Sequence, residues 1–216
     1  MIAAIDALAW DTTLSRRTQH YGHRFDYATK SCVASSAAMP SAVSAVFARL
    51  RPEWWGEPGP GDACTVNEYV SGQGIAPHVD SHSAYKEGIA VLSLGDGIAL
   101  RLRPSFDADD VTPAIQELWL PQRSFLELVG ESRYAYTHGI ASRKGDVVEG
   151  TWIRRTRRIS LTSLSASRKR VTRLTSFRQV PTSQPHACIC AFPRWCDVNG
   201  GVPRDSLIIR VRPGIT

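Results

Sequence analysis

From residue 63 onward the chain breaks into short β-prone runs, and this restricts the possible fold more than any other feature. Residues 63–70, 90–94, 98–103, 117–120, 124–129 and 159–162 are such runs, split by Gly, Pro, Asp or Ser. These separators interrupt strands and build turns. Many short strands at this spacing argue for a sandwich or a barrel. The first third is mixed. Residues 16–27 are aromatic and turn-rich and are expected to be extended. Residues 41–50 carry Val43, Val46, Phe47 and Leu50 at helical spacing and are expected as an amphipathic helix, ended by Pro52 and the Gly/Pro cluster at 56–61. No repeat or linker divides the sequence, so residues 1–216 are expected to form one domain. Residues 163–185 read as an inserted loop followed by an irregular tail.

The chain has 216 residues, 43% of them hydrophobic and 21% charged. That is enough for a core without a disulfide scaffold. The N-terminus lacks a cationic start and carries Asp6 early, which makes a poor signal peptide. No apolar run approaches the roughly 18 residues of a membrane span, so no membrane partner is expected. The five cysteines are an odd number; Cys32 and Cys64 are scattered, while Cys188, Cys190 and Cys196 cluster. A reducing compartment, the cytoplasm or also the nucleus, and a metal site suit this pattern better than disulfides. The net charge is +6, with Arg154, Arg155, Arg157, Arg158, Arg168, Lys169, Arg170 and Arg173 in one acid-free stretch. Such a field suits RNA or DNA, and a solvated basic loop accounts for it equally well.

His78 and Asp80, at spacing two, share a face of an extended segment. One imidazole and one carboxylate are two thirds of a facial triad for non-haem Fe(II), which leaves coordination positions open. His138, after the 124–129 run and before Gly139, is the candidate third ligand. His20, His23, His82 and His186 do not end a late core strand. The usual co-substrate of such a centre is 2-oxoglutarate, whose two carboxylates call for arginines plus neutral donors. Asn67 and Tyr69 share a strand face with Thr65, and Arg158, Ser160 and Thr162 share another. Cys188, Cys190 and Cys196 with one histidine make a closed tetrahedral set of the kind structural zinc prefers; His82 and His186 both offer the fourth ligand.

These residues resemble the AlkB family of Fe(II)/2-oxoglutarate dioxygenases, and within it the homologue-eight branch, which hydroxylates a modified wobble uridine of tRNA. The resemblance is carried by Val66-Asn-Glu-Tyr-Val-Ser-Gly-Gln-Gly-Ile75, His78-Val-Asp-Ser-His82, Leu92-Ser-Leu-Gly95, Gly130-Glu-Ser-Arg-Tyr134, Thr137-His-Gly-Ile140 and Cys188-Ile-Cys190-Ala-Phe-Pro-Arg-Trp-Cys196-Asp197, and spans residues 14–197. It implies a mostly β fold with flanking helices, a double-stranded β-helix (jelly-roll, cupin-like). It implies Fe(II) at His78, Asp80 and His138, and 2-oxoglutarate at Asn67, Tyr69 and Arg158. It also implies Zn(II) at His82, Cys188, Cys190 and Cys196, pinning a C-terminal segment at 186–197.

The family carries a second co-substrate arginine six residues after the first. Here residues 163–176 separate Thr162 from Phe177 and Arg178, and are expected as a basic insertion. Looping it out places Arg178 on the same strand face as Arg158. Pairing Arg173 with Arg178 instead gives a spacing of five and opposite faces. Without looping out, Leu164 takes the second arginine's place. The implied substrate is the 5-methoxycarbonylmethyl group of a wobble uridine, in an anticodon loop that presents unstacked bases. Arg16, Arg17, His20, Tyr21 and Phe25 are candidate substrate-side residues, and packing explains the aromatic ones equally well. Trp54 and Trp55 are expected in the core. The branch's RNA-recognition and methyltransferase modules do not fit in this length, so a separate RNA-binding or tRNA methyltransferase partner is expected. The alternatives are oxidative N-demethylation of nucleic acid or protein, and an inactive, metal-stabilised RNA-binding module.

Overall fold

The computed structural model describes residues 1–26, 31–34, 37–50, 63–82, 85, 88–105, 115–165 and 207–212. In chain order the elements are α1 (Ile2–Asp6), β1 (Thr18–Asp26), β2 (Ser31–Ala34), α2 (Ser41–Leu50), β3 (Ala63–Tyr69), β4 (Ile75–His78), β5 (Ile89–Gly95), β6 (Ile98–Pro104), β7 (Gln116–Leu120), β8 (Phe125–Gly130), α3 (Glu131–Tyr134), β9 (Tyr136–Ile140), β10 (Gly145–Val148), β11 (Thr151–Arg154), β12 (Arg158–Leu164) and β13 (Leu207–Arg212). A seven-stranded sheet runs β13-β8-β5-β12-β3-β1-β2, a four-stranded sheet runs β4-β9-β6-β7, and β10 and β11 form a hairpin. Every pairing is antiparallel.

Side-chain alternation gives the large sheet two buried faces. On one, Ala63, Tyr69, Ile89, Leu126, Leu128 and Leu164 meet Ile98, Leu100, Leu102, Leu120 and Ile140 of the small sheet in one core. On the other, Cys64, Val66, Ala90, Leu92, Leu94, Phe125, Ile159 and Leu161 are covered by Ile5 of α1 and by Val43 and Phe47 of α2. This double burial explains why the strands read as nearly continuous apolar runs. The fold is the mostly β jelly-roll with flanking helices. At Cys64 burial pushes the thiol up to about 12, so it behaves as a core residue. No helix among the described residues is long and apolar enough to cross a membrane.

The strands expected at 63–70, 90–94, 98–103, 117–120, 124–129 and 159–162 are β3, β5, β6, β7, β8 and β12, and the expected helix is α2. Several expectations need correction. The β10–β11 hairpin was not anticipated, because its turn uses Glu149 and Gly150 at φ 50° and 80°, where Asn-Gly is the usual signal. β13 lies in what reads as an irregular tail and adds to the sheet edge beside β8. β12 continues through Ser163 and Leu164, which pair with Cys64 and Ala63, so the strand runs two residues into the expected insertion. Residues 166–176, Trp54 and Trp55 lie outside the described residues.

The basic stretch is split where it is described: Arg155 and Arg158 are buried, Arg157 is part-exposed and Arg154 is exposed. Arg155 is buried and donates to both carboxylate oxygens of Asp146 at 2.6 Å. Arg157 pairs with Glu68 and Asp6, and Arg17 also binds Glu68. Arg158 faces the core. Arg155, Arg157 and Arg158 are thus engaged within the fold. Burial pushes the Asp146 carboxyl up, but its hydrogen bonds from Arg155 and Arg143 outweigh this and hold it below the usual range. Its stabilising contribution is therefore present above about pH 4 and is lost as pH falls through its depressed value. Asp146→Asn leaves Arg155 buried without its counter-ion, which costs about 3–5 kcal/mol. The thermal midpoint at neutral pH is expected to fall by on the order of 10 °C, and the variant's pH–stability curve to flatten on the acid side.

Candidate metal centre and anion pocket

β4 and β9 place the two histidines by register, with His78 directly opposite His138 across the ladder. Their rings lie 4.5 Å apart, tilted by 52°. The Asp80 carboxylate reaches between them: Oδ1 is 3.7 Å from His78 Nε2 and Oδ2 is 3.6 Å from His138 Nε2. One ligand atom from each of the three lies within 4.8 Å of the others. Asp80 is not on the strand, as its spacing suggested, but two residues past its end. Gly139 makes this approach possible. A Cβ there would stand 2.9 Å from Pro77 N and 3.0 Å from Ile75 O, both main-chain atoms of the irregular stretch of β4. Gly139→Ala should push β4 off β9, weaken Co(II) binding about 10-fold or more and cost roughly 1–3 kcal/mol. Unchanged affinity in a titration would count against this packing argument.

Each histidine is oriented by its surroundings. His78 Nδ1 is 2.9 Å from the Ala76 carbonyl, so with the proton on Nδ1 the Nε2 lone pair is left toward Asp80. Burial pushes His138 down to about 4, with Asp80 opposing and His78 and Arg133 adding to the shift. Two imidazoles with one carboxylate are a donor set that suits Fe(II).

On the large sheet, Tyr69–Arg158–Gly95 form one cross-strand row and Thr18–Asn67–Ser160–Ser93 the next. Cross-strand partners share a face, and Tyr69 assigns this one to the core between the sheets. His138 has the same parity on β9 as Ile140, which joins that core, so metal candidates and anchors face one space. Arg158 is only 3% exposed. It donates from Nη2 to Ser93 Oγ at 2.9 Å and lies 5.6 Å over the Tyr69 ring. Its Nε has no hydrogen-bond partner. Burial pushes Arg158 down to about 10, a shift Tyr69 opposes. The Tyr69 hydroxyl is pushed up by burial, pulled back by Arg158, Arg16 and a bond with Ser160, and raised by Asp80. A buried guanidinium served only by neutral oxygen calls for an anion, and a carboxylate of 2-oxoglutarate fits.

Leu164, six residues after Arg158 and on the same strand face, packs in the apolar core. The strand position of a second arginine is therefore apolar. Arg178, Arg173, Cys188, Cys190, Cys196 and His186 lie outside the described residues. His82 is described: it meets the Tyr134 ring edge-on at 5.0 Å. The candidate substrate-side residues divide. Arg16 donates from Nε to Asn67 Oδ1 at 2.9 Å, and His20 sits beside Thr65 at 3.2 Å, both toward the pocket. Arg17 turns to the opposite face with Glu68, and Tyr21 is buried in the helix-side core. Sequence reasoning missed Ser93 and assigned no role to Arg133. Ser93 follows from the alternation of β5, once Ser160 is known to pair with it.

The sequence matches the family profile described as 2OG-Fe(II) oxygenase superfamily over residues 5–163. An Arabidopsis thaliana protein named "Alkylated DNA repair protein ALKBH8 homolog" is 35% identical, covering 91% of this chain and 58% of that protein. A Xenopus tropicalis protein named "tRNA (carboxymethyluridine(34)-5-O)-methyltransferase alkbh8" is 33% identical, covering 89% of this chain and 31% of that one. A protein of Acanthamoeba polyphaga mimivirus, described as uncharacterized, is 27% identical over 79% of this chain and 80% of its own length. The chain thus spans about three fifths and a third of the first two relatives. With the profile matched across His78, Asp80, His138 and Arg158, the chain belongs to the 2OG-Fe(II) oxygenase superfamily.

Proposed function

We propose that this chain is an Fe(II)- and 2-oxoglutarate-dependent dioxygenase that hydroxylates a modified wobble uridine in tRNA. The observation that carries the enzyme reading is the juxtaposition of the His78–Asp80–His138 cluster and the acid-free Arg158 in one space, with Arg158 and Asp80 both acting on the Tyr69 hydroxyl. In this reading His78, Asp80 and His138 hold the iron. Arg158, Tyr69 and Asn67, aided by Ser93 and Ser160, hold 2-oxoglutarate. Iron and co-substrate together supply oxidation of a C–H bond by O₂ as 2-oxoglutarate is converted to succinate and CO₂. The protein's own part is to orient the co-substrate carboxylate, hold the two imidazoles opposite each other and exclude water with the apolar row at Leu164. Arg178 is proposed as the second co-substrate cation.

The substrate reading is supported by the relatives' printed names. Methylation of the carboxymethyl group at uridine 34, the activity in the Xenopus name, makes a methoxycarbonylmethyl ester, the group whose C–H bond would be hydroxylated here. A separate tRNA methyltransferase is accordingly the proposed partner. The Arabidopsis name instead points to alkylated nucleic acid, and so to oxidative demethylation. Incubating the full chain with Fe(II), 2-oxoglutarate and undermodified tRNA, followed by nucleoside mass spectrometry, separates these. One added oxygen on the wobble nucleoside with matching succinate is expected. Formaldehyde without that nucleoside would establish the demethylase, and absence of succinate the binding module. A zinc ion at His82, Cys188, Cys190 and Cys196 completes the proposal: metal analysis should find one equivalent of zinc that Cys188→Ser lacks.

A further inference from the structure

Arg133 is the largest side chain buried completely among the described residues. A guanidinium withdrawn from water is costly unless its donors are used. It donates from Nη1 to the Asp80 carbonyl at 2.8 Å and from Nη2 to the Ser81 carbonyl at 3.1 Å. It also lies 5.0 Å over the ring of its neighbour Tyr134, which in turn meets His82 edge-on. The one-turn helix α3 therefore grips residues 80–82. α3 is itself tied to β8, because Ser132 Oγ donates to the Val129 carbonyl at 2.8 Å and accepts from its N–H at 3.0 Å.

These contacts fall where the sheet stops helping. The ladder between β4 and β9 ends at the His78–His138 pair, so register places both histidines but not Asp80. The carbonyls of Asp80 and Ser81 have no strand partner in that ladder, and the planar fork of Arg133 takes its place. Two donors on two successive carbonyls set the orientations of two successive peptide planes, Asp80–Ser81 and Ser81–His82.

We propose that Arg133 is a positioning residue for the metal centre. It holds the main chain at Asp80 so that the carboxylate stays within reach of both imidazoles. A lysine keeps the charge but offers one compact ammonium, which lacks the planar fork that reaches both carbonyls. The proposal rests on the metal-site reading above, and its test separates the two.

The test titrates the full chain with Co(II), its cysteine-rich site kept loaded with zinc and the His78–Asp80–His138 site emptied, reading affinity and the visible spectrum at saturation, in the wild type, Arg133→Lys, Ser132→Ala and His138→Ala. Arg133→Lys is expected to bind Co(II) about 10–100-fold more weakly, with an altered spectrum because the carboxylate is no longer held. Ser132→Ala loosens α3 while keeping the buried arginine, and is expected to show a smaller loss in the same direction. It carries the test if Arg133→Lys does not fold. A folded Arg133→Lys, or failing that Ser132→Ala, with wild-type affinity and spectrum overturns the proposal. Wild-type affinity in His138→Ala would instead overturn the metal site itself.

Discussion

Arg158→Met is expected to make the free protein more stable and to cost it its co-substrate. Arg158 is 3% exposed, bonds Ser93 Oγ and leaves Nε without a partner. Replacing a poorly compensated buried ion by an apolar side chain of similar length is commonly neutral or stabilising by about 1–4 kcal/mol. Methionine is unbranched and adapts to the space. The thermal midpoint of the metal-free protein should therefore hold or rise by several degrees, at about 2–4 °C per kcal/mol. Binding of 2-oxoglutarate should weaken about 100-fold, the value of a charge-assisted bond to a carboxylate near 2–3 kcal/mol. The opposite movement of the two quantities is the diagnostic. A destabilised variant with intact 2-oxoglutarate affinity would make Arg158 a structural residue. Arg178→Ala should reproduce the co-substrate loss, and Arg173→Ala should leave it nearly intact.

His138→Ala is expected to remove metal binding at the His78–Asp80 cluster almost entirely. His138 is the most buried of the three candidate ligands, with a side chain 14% exposed against 36% for His78 and 24% for Asp80. Loss of a direct ligand should exceed the 10–100-fold typical of a group behind one. A metal that binds only the folded state raises the melting temperature with its concentration. With the cysteine-rich site kept loaded with zinc, the wild type should show that rise with Co(II), and the variant should not. An unchanged metal-dependent rise in His138→Ala would place the ion elsewhere.

How much was legible in the sequence depended on the range of the interaction behind each feature. α2 and six of the strands follow from local periodicity and from the turn residues between them. His78 and Asp80 were readable from their spacing, although Asp80 proved to lie beyond the strand. Nothing local distinguishes Arg16 from Arg17, yet they go to opposite faces of β3, one to Asn67 and the other to Glu68. The basic run could not be sorted by composition. Arg155, Arg157 and Arg158 take three separate roles because Asp146, Glu68 with Asp6, and Ser93 reach them from distant strands.

By itself the sequence determined the strand-rich architecture, the iron candidates His78, Asp80 and His138, and the strand that carries Arg158. Those depend on side-chain period and residue chemistry, which are properties of short segments. Tertiary structure decided what each group faces. It placed His138 opposite His78 through the β4–β9 register, left Arg158 buried without an acid, and put Leu164 in the apolar row where a second arginine was expected. It also brought Arg133 to the carbonyls of Asp80 and Ser81. The physical reason is that register and layer packing join residues far apart in the chain, and burial then sets the cost of each charge.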